Sequence, residues 1–272
     1  MEWLWSQWPQ VAAEILSSSH TVLFLDYDGT LTRIAPTPEQ ATLSASTRSV
    51  LRELAHRPRM TVAVISGRRL NELRRLVRVR DLIYIGNHGL EMWQDGQQVG
   101  VIVPQPLQEA VAHIRSQLTS LVAEIPGVLI EDKGLSVSLH YRLVPTRLES
   151  QLKTVVLRDV LPRVYSSGLT VLHGKKVIEL RPNLNWTKGH AALRLMKHIR
   201  RRSVLPVYIG DDRTDEDAFR ALAEGITIRV GAHEGSKAHY YVRDVKEVIA
   251  LLRWIAQPSQ RDSDGPHGRR SR

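Results

Sequence analysis

One repeated pattern constrains the fold of this 272-residue chain most: a short apolar segment that ends directly in polar, glycine-containing sequence. The pattern occurs in TVLFLDYDG (21–29), MTVAVISGR (60–68), LIYIGNHG (82–89) and LPVYIGDDRTDED (205–217). Each apolar run is too short for an independent helix and is rich in Val, Ile, Leu and Tyr, as buried strands are. Helical patterns such as STRSVLRELAHR and RRLNELRRLVRV lie between the runs. Unbroken apolar strands that alternate with helices predict an α/β fold with a doubly wound parallel sheet.

The middle of the chain has a different pattern. It predicts a helix at 106–125, two extended pieces within 128–143, a second helix at 145–164 and another extended region at 169–182. This order of elements is typical of an α+β unit. We therefore expect an inserted α+β domain, called the cap below, between two parts of the parallel sheet.

The chain is thus expected to divide into three parts. These are a core domain formed by residues 1–103 and 183–258, a cap formed by residues 104–182, and a basic tail, residues 259–272. The tail sequence, RDSDGPHGRRSR, is polar and has no periodic apolar residues, so we expect it to be disordered.

Composition limits the location and the possible cofactors. The chain has no cysteine, which excludes disulfides and thiolate metal sites and fits a reducing cytosol. No apolar run approaches the roughly 18 residues of a membrane span, and the N-terminal sequence lacks the pattern of a signal peptide. We expect a cytoplasmic protein without membrane contact.

The excess of positive charge raises the question of a nucleic-acid partner. The formal net charge is +10, and the arginines cluster in residues 68–80, in residues 200–202 and in the tail. In the first cluster Leu70 and Leu73 have helical spacing, which makes the arginines a solvated helix face. No recognisable nucleic-acid-binding motif accompanies the charge. We expect no nucleic-acid partner, and a basic nucleic-acid-binding module remains the alternative from another functional class.

Two carboxylates one residue apart, Asp26 and Asp28, follow the first apolar run. Such close acids resist ionising together unless a cation or a proton intervenes. A carboxylate at a strand end can attack phosphorus, and a second acid can protonate the leaving oxygen and later activate water. Taken alone, the pair is as typical of a turn around Gly29 as of a catalytic pair, and the Asp-x-Asp metal site of nucleotide-sugar transferases is a further alternative.

A second acidic cluster, GDDRTDED, follows the last apolar run. Helix capping from Thr214 explains Glu216 and Asp217, but it does not explain Asp211 at the strand end. Oxygen ligands without His or Cys indicate a hard cation, and we expect Mg²⁺. Because ligands of open α/β sheets bind at the carboxyl ends of the strands, the two acidic clusters should meet in one cleft.

Two weaker signals complete a phosphate site. Ser66 follows the second apolar run, where its hydroxyl and nearby helix amides could hold phosphate oxygens. Lys188 opens a helical segment, where its ammonium could offset the charge of a nucleophile and a phosphate. Each feature alone is more often structural. Their order in the sequence relative to the acids strengthens the case for a phosphate site.

These four motifs, in the order DYDGT, Ser66, Lys188 and GDDRTD, resemble those of the haloacid-dehalogenase superfamily of phosphotransferases. The resemblance implies that Asp26 is the nucleophile and that Asp28 is the general acid and base. It also implies that Ser66 and Lys188 bind phosphate, and that an acid at position 28 suits a phosphatase.

The same resemblance assigns the metal site. Its ligands would be the side chains of Asp26 and Asp211 and the backbone carbonyl of Asp28. Asp212 and Asp215 would hold these ligands in place without binding the metal ion directly.

Further motifs extend the resemblance to the trehalose-6-phosphate phosphatase family across about residues 21–245. They are VISGR, GNHGLE, EDKGLSVSLHYR, GKKVIELRP and NWTKG. The resemblance implies Mg²⁺-dependent hydrolysis of trehalose 6-phosphate through an aspartyl-phosphate, the last step of trehalose biosynthesis. The alternatives within the same enzyme class are phosphatases for sucrose phosphate or glucosylglycerol phosphate.

The resemblance also assigns substrate contacts, most of them in the cap. The implied sugar-binding residues are Arg68, Asn87, His88, Glu131, Lys133, His140, Arg142, Lys175 and Glu179. From the residues alone, strand alternation places Ser136, Ser138, His140 and Arg142 on one face. A solvated outer face of a hairpin is the competing explanation for these cap residues.

Two departures from the family pattern stand out. Arg33 occupies a position where family members often have proline, and the motif acids are intact. The chain also lacks the synthase-like domain that some relatives carry, so any partner trehalose-6-phosphate synthase is expected to be a separate protein.

Overall fold

The computed structural model describes residues 1–199 and 203–257, so the predicted tail, residue 258 and residues 200–202 lie outside the described residues. The strands are β1 (Glu2–Trp3), β2 (His20–Asp26), β3 (Met60–Ile65), β4 (Ile83–Gly86), β5 (Glu91–Gln94), β6 (Gln97–Gly100), β7 (Leu129–Asp132), β8 (Val137–His140), β9 (Leu169–Gly174), β10 (Val177–Pro182), β11 (Val204–Gly210), β12 (Ile226–Val230) and β13 (Tyr240–Val242). The α-helices are α1 (Trp8–Ser17), α2 (Ala45–Ala55), α3 (Leu70–Val77), α4 (Gln105–Leu121), α5 (Thr146–Val155), α6 (Leu161–Ser166), α7 (Lys188–His198), α8 (Glu216–Ala221) and α9 (Val245–Ala256). Short 3₁₀ turns include Pro38–Gln40, Asn87–Gly89 and Arg213–Asp215.

The larger sheet has the order β1-β13-β12-β11-β2-β3-β4-β5-β6. Its first seven strands are parallel, and β5 and β6 extend it as an antiparallel edge. All seven residues of the central strand β2 are buried, which is why its sequence is apolar without interruption. The predicted α/β fold with a parallel sheet is confirmed.

Helices cover both faces of this sheet. Leu23 and Leu25 of β2 belong to a hydrophobic cluster that includes residues of α2, α3 and α9. Val22 and Phe24 point the other way, into a cluster with residues of α7 and α8. Successive side chains of a strand point to opposite faces, so one apolar strand supplies both cores. The sheet is therefore doubly wound, as predicted.

The smaller sheet is antiparallel, with the order β7-β8-β10-β9. One face packs on α4, α5 and α6 through a separate hydrophobic cluster that includes Val111, Leu152 and Leu180. This order of helix, hairpin, helix and hairpin follows the sequence pattern. The division at residues 103 and 183 stays a prediction, and the separate cluster supports it.

The second cap helix differs from the single helix predicted over residues 145–164. It consists of α5, a π-helical stretch at Val156–Val160, and α6. Pro162 lies in the first turn of α6. A proline lacks the amide hydrogen that an α-helix needs at an interior position, so the regular hydrogen-bond pattern changes before it.

Among the described residues, no helix has both the length and the apolar character needed to cross a membrane.

Candidate active site

Four neighbouring strands of the larger sheet bring the predicted motifs to one edge. Asp26 is the last residue of β2, and Ser66, Asn87 and Asp211 directly follow β3, β4 and β11. The strands lie side by side in the order β11-β2-β3-β4 and run parallel. Their carboxyl ends therefore meet at the edge where open α/β sheets bind ligands.

A buried lysine joins two of the acids. Lys188 is the first residue of α7, and its Nζ donates to Asp26 Oδ1 at 2.7 Å and to Asp215 Oδ1 at 2.8 Å. Burial lowers the pKa of the Lys188 ammonium, but the two carboxylates outweigh this effect and raise it above its ordinary value. Burial raises the pKa of Asp26, the charges of Asp215 and Asp211 add to this, and Lys188 opposes it. Lys188 is thus a fixed cation beside the predicted nucleophile.

Asp215 is fully buried, and both of its carboxylate oxygens accept two hydrogen bonds. Lys188 Nζ and the Tyr208 hydroxyl donate to Oδ1, and the amides of Asp211 and Asp212 donate to Oδ2 at 3.0 and 2.9 Å. Burial opposes ionisation, but Lys188 and the other donors lower the pKa of Asp215 below its ordinary value. The Asp215 carboxylate therefore holds the loop after β11 in place, and Asp212 caps the following 3₁₀ turn.

The acidic cluster could hold a metal ion. Carboxylate oxygens of Asp26, Asp211 and Asp215 lie within 4.8 Å of one another, and all three residues are buried. Oδ1 of Asp211 is buried and has no hydrogen-bond partner, whereas the oxygens of Asp215 are occupied by donors. Free oxygen ligands of this kind fit a hard divalent cation. The donor set therefore suits metal binding through Asp26 and Asp211.

Asp211 also contacts the cap. Lys175, in the turn between β9 and β10, donates from Nζ to Asp211 Oδ2 at 2.9 Å. Burial, with help from the charge of Asp215, raises the pKa of Asp211 to about 6 against the opposing effect of Lys175. Gly29 leaves the space for this carboxylate, since a Cβ at Gly29 would lie 2.4 Å from Asp211 Cγ.

Asp28 is held by an arginine rather than by the metal cluster. Arg68 donates from Nε to Asp28 Oδ2 at 2.7 Å and from Nη2 to Asp28 Oδ1 at 2.8 Å. The same guanidinium contacts Glu72 and the carbonyl of Pro38. Burial lowers the pKa of Arg68, but its contacts with Asp28 and Glu72 raise it overall. Arg68 lines the cavity, as its predicted role in substrate binding requires, and in this structure it orients Asp28. Its backbone amide donates to Ser66 Oγ at 3.2 Å.

The face of the cap sheet opposite its helices carries a row of polar residues. Glu131, Ser138 and Glu179 are register partners across β7, β8 and β10. The Ser138 hydroxyl donates to Glu179 Oε2 at 3.1 Å, and Lys133 Nζ lies 2.7 Å from the same oxygen. His140 Nε2 lies 2.7 Å from Glu131 Oε2.

The charges in this row are mutually compensated. Burial raises the pKa of Glu179, but His88 and Lys133 outweigh it, so that the pKa lies well below the ordinary value. The pKa of Lys133 is raised, because Glu179 and Glu131 outweigh the effect of burial. The pKa of Glu131 is lowered in the same way by its hydrogen bond with His140 and the charge of Lys133. Glutamates 131 and 179 are therefore present as anions.

Residues after β4 connect the core to the cap. Asn87 and His88 have positive φ angles of 46° and 54°. The Asn87 side chain donates to the carbonyl of Lys133 at 3.1 Å, and His88 Nε2 lies 3.1 Å from Glu179 Oε1. Burial lowers the pKa of His88, although Glu179 opposes this.

A cavity of about 200 Å³ joins the core and cap groups. All but two of the predicted site residues line it, and the two behind its wall are Asn87 and Asp215. Arg142 reaches the cavity but is exposed and donates to the carbonyl of Lys175 at 2.8 Å.

Several cavity or supporting residues were not predicted from the sequence. They are Ile34, Ala35, Pro36, Thr37, Pro38, Ala41, Thr214, Tyr208 and Glu72. The segment 34–41 forms one wall of the cavity largely with apolar residues, which form no charged motif in the sequence. The feature that could have indicated this wall in the sequence is its position, because residues 34–41 form the proline-containing loop shortly after the DYDGT motif.

The chain is similar to known proteins over most of its length. The trehalose-phosphatase family matches residues 24–246 of the chain. Trehalose-phosphate phosphatase B of Arabidopsis thaliana is 33% identical over 252 residues, which are 87% of this chain and 66% of that protein. Probable trehalose-phosphate phosphatase 4 of Oryza sativa subsp. japonica is 32% identical over 272 residues, with 95% of this chain and 71% of that protein covered.

A solved structure has the same architecture. The C-terminal domain of the trehalose-6-phosphate phosphatase of C. albicans superimposes with a TM-score of 0.80 at 25% identity, covering 91% of this chain and 96% of that domain. The chain spans about two thirds of the length of the two plant relatives. The family and these relatives are phosphatase enzymes, and the resemblance stated from the motifs is confirmed. The chain belongs to the trehalose-phosphatase family.

Proposed function

We propose that the chain hydrolyses trehalose 6-phosphate to trehalose and phosphate. The observation that carries this proposal is that one cavity has two chemically different ends. One end holds Asp26, Lys188 and Asp211, which suit a phosphoryl group. The other holds the cap glutamates with their lysine and histidine partners, which suit sugar hydroxyls. The family match favours this function over a nucleic-acid-binding module.

In the first step, Asp26 attacks phosphorus while the bond from phosphorus to the sugar oxygen breaks. Asp28 gives its proton to that oxygen, so trehalose leaves as a neutral alcohol. Lys188, held 2.7 Å from Asp26 Oδ1, fixes the nucleophile and offsets negative charge.

In the second step, Asp28 takes a proton from water as the water attacks the aspartyl-phosphate. Phosphate then leaves, and Asp26 is restored as a carboxylate. In this structure both carboxylate oxygens of Asp28 accept from Arg68, so one of these contacts must open before Asp28 carries and transfers the proton.

We propose Mg²⁺ as the metal ion. The side chains of Asp26 and Asp211 and the backbone carbonyl of Asp28 would hold it, with Asp212 and Asp215 fixing the loop that carries Asp211. When bound, the ion would offset the negative charge of the phosphoryl group. Chelation should therefore abolish phosphate release, and added Mg²⁺ should restore it. Activity that persists after exhaustive chelation would contradict this assignment.

The cap would select the sugar. A disaccharide presents many hydroxyl groups that can donate and accept hydrogen bonds. The ionised Glu131 and Glu179 can accept from them, and Lys133, His140 and Arg142 can donate to them. A site built to hydrogen-bond hydroxyls discriminates strongly against substrates that lack them.

The decisive experiment compares Asp26→Asn with the wild type on a panel of sugar phosphates. Trehalose 6-phosphate should be the best substrate of the wild type, and Asp26→Asn should lower phosphate release by about 1000-fold or more. Asp95→Asn, the same change in the turn between β5 and β6, should leave the rate unchanged. Substantial activity of Asp26→Asn would refute the nucleophile. Comparable wild-type rates on sucrose phosphate or glucosylglycerol phosphate would refute the trehalose assignment.

A further inference from the structure

A second cavity, of about 460 Å³, lies beside the candidate active site. It shares Lys188, His88 and Thr214 with the first cavity, so these three residues line both spaces. Its other walls come from β9 and β10 of the cap and from the loop and helix after β11. The proposed function uses none of these other walls.

Three arginines line this second cavity, and its two acids are already paired. Asp217 accepts from Arg220 at 2.7 Å. Glu216 accepts from Arg229 at 2.8 Å and from the amide of Lys237. The remaining arginines in the wall, 181 and 213, form no side-chain hydrogen bond or ion pair with any described residue. The cavity therefore carries excess positive charge.

Arg181 is the more unusual of the two unpaired cations. It lies on β10, two residues beyond Glu179, and its Nε is buried without a hydrogen-bond partner. Burial lowers the pKa of Arg181, and the charges of Glu179 and Asp217 compensate only in part. Arg68, by contrast, is more deeply buried and has two carboxylate partners. A half-buried guanidinium without a hydrogen-bonded counter-ion is costly, and its planar set of N–H donors matches the oxygens of an anion.

We propose that this second cavity binds an oxyanion of the phosphate class, anchored by Arg181 and supported by Arg213. Two sources supply this chemistry. One is the phosphate formed at Asp26, because Lys188 lines both cavities. The other is free phosphate or a phosphorylated small molecule that enters from solution. The binding site itself does not depend on the phosphatase activity proposed above.

The direct test is a titration of the full-length, Mg²⁺-loaded protein with inorganic phosphate at constant ionic strength. The NMR signal of the Arg181 Nε–H group, assigned by its disappearance in Arg181→Gln, should shift and saturate. The Nε–H signal of Arg147, an exposed arginine of the cap, should not move. Arg213→Gln should weaken the apparent affinity at the Arg181 signal by about tenfold, the loss expected when one charge-assisted contact is removed.

The proposal is overturned if the Arg181 Nε–H signal does not shift when phosphate is added. It is also overturned if Arg213→Gln leaves the apparent affinity for phosphate unchanged. Arg213 is exposed, so its variant should fold even if Arg181→Gln does not. Because binding is measured without turnover, failure here is distinct from failure of the proposed function.

Kinetics identify the source of the anion. If product phosphate passes through the second cavity, Arg181→Gln should lower steady-state kcat but not the single-turnover rate of sugar release. If the anion comes from solution, added phosphate should lower kcat of the wild type and not of Arg181→Gln. Either result supports the site. A variant identical to the wild type in both assays rules out both the exit of product phosphate through this cavity and inhibition of turnover from it.

Discussion

Gly29 lies in a conformation and in a space that suit only glycine. Its φ is +89°, and a Cβ would lie 2.4 Å from the buried Asp211 carboxyl. Gly29→Ala should therefore destabilise the fold by more than the roughly 1 kcal/mol cost of the positive φ and should displace Asp211. Denaturant unfolding and phosphate-release assays would show a lower free energy of unfolding and a large loss of activity.

The matched control is Gly96→Ala. Gly96 has a similar φ of +79°, but no atom lies within 4 Å of a Cβ built there. This variant should show the backbone cost alone, with unchanged turnover. Equal losses in the two alanine variants would refute the argument from space.

Glu179 should contribute to stability in a pH-dependent way. Its pKa in the folded protein lies well below the value of 4.5 expected when unfolded, because His88 and Lys133 favour the anion. Below about pH 4.5 the unfolded chain therefore binds a proton that the folded chain does not. The contribution of Glu179 is fully present above that pH and is lost as the pH falls toward the folded pKa.

Denaturant unfolding between pH 3 and pH 7 tests the direction of this pH dependence. The difference in free energy of unfolding between the wild type and Glu179→Gln should be largest at neutral pH and should shrink on acidification. Glu149→Gln removes the partner of Lys176, whose hydrogen bond lowers the pKa of Glu149. Because Lys176 is exposed to solvent, this difference should change in the same direction but by less than that of Glu179→Gln. A Glu179→Gln difference that grows toward acid would contradict the assignment.

At the scale of elements, the turn between β9 and β10 connects the cap to the core. Its Lys175 reaches Asp211 across the cavity, whereas the adjacent Lys176 binds Glu149 within the cap. Lys175→Ala should lower kcat/KM for trehalose 6-phosphate by about 10- to 100-fold, because it removes a cation at the phosphoryl end of the cavity. Steady-state kinetics would measure this loss.

Lys176→Ala is the control, since it changes the same residue type one position along the same turn. It should leave kcat/KM near the wild-type value. Both variants should unfold close to the wild type, because the two lysine side chains are themselves exposed and ion pairs of exposed lysines add little stability. Similar kinetic losses in both variants would indicate a general effect of the turn rather than a role of Lys175.

The element pattern explains what could be predicted from the sequence. The carboxyl ends of parallel strands must meet at one edge, so the positions of Asp26, Ser66 and Asp211 in one cleft followed from four apolar runs. Alternation along β8 likewise placed Ser138 and His140 on one face, where both contact glutamates.

Contacts that depend on the packing of side chains were not predictable. The pairing of Arg68 with Asp28 joins residues 40 positions apart, and no spacing rule distinguishes it from a substrate contact. The four donors around Asp215 include the hydroxyl of Tyr208, which in the sequence is one more apolar strand residue. The wall formed by residues 34–41 consists largely of apolar and backbone groups, which carry no chemical signature.

At the scale of the whole molecule, the cap has its own hydrophobic cluster. Leu152 of α5 is completely buried in it, and Leu54 of α2 is completely buried in the core. Leu152→Ala should cost about 2–5 kcal/mol in local stability. Hydrogen exchange should then accelerate at amides of residues 105–182 and stay unchanged in β2 and β11.

Leu54→Ala is the reciprocal control and should accelerate exchange in the core strands. If Leu152→Ala accelerates exchange equally in both sheets, the two parts unfold as one cooperative unit. That result would contradict the proposed division at residues 103 and 183.

The order of strands also has a consequence for folding during synthesis. All pairings of the smaller sheet lie within residues 129–182, whereas His20 of β2 pairs with Val204 of β11. The ribosome must therefore finish the entire cap before the central strand of the core acquires its second neighbour. Until then β2 has an open edge, and contacts so distant in sequence form slowly. The cap can fold first, and the sheet edge that carries Asp26 and Asp211 is completed last.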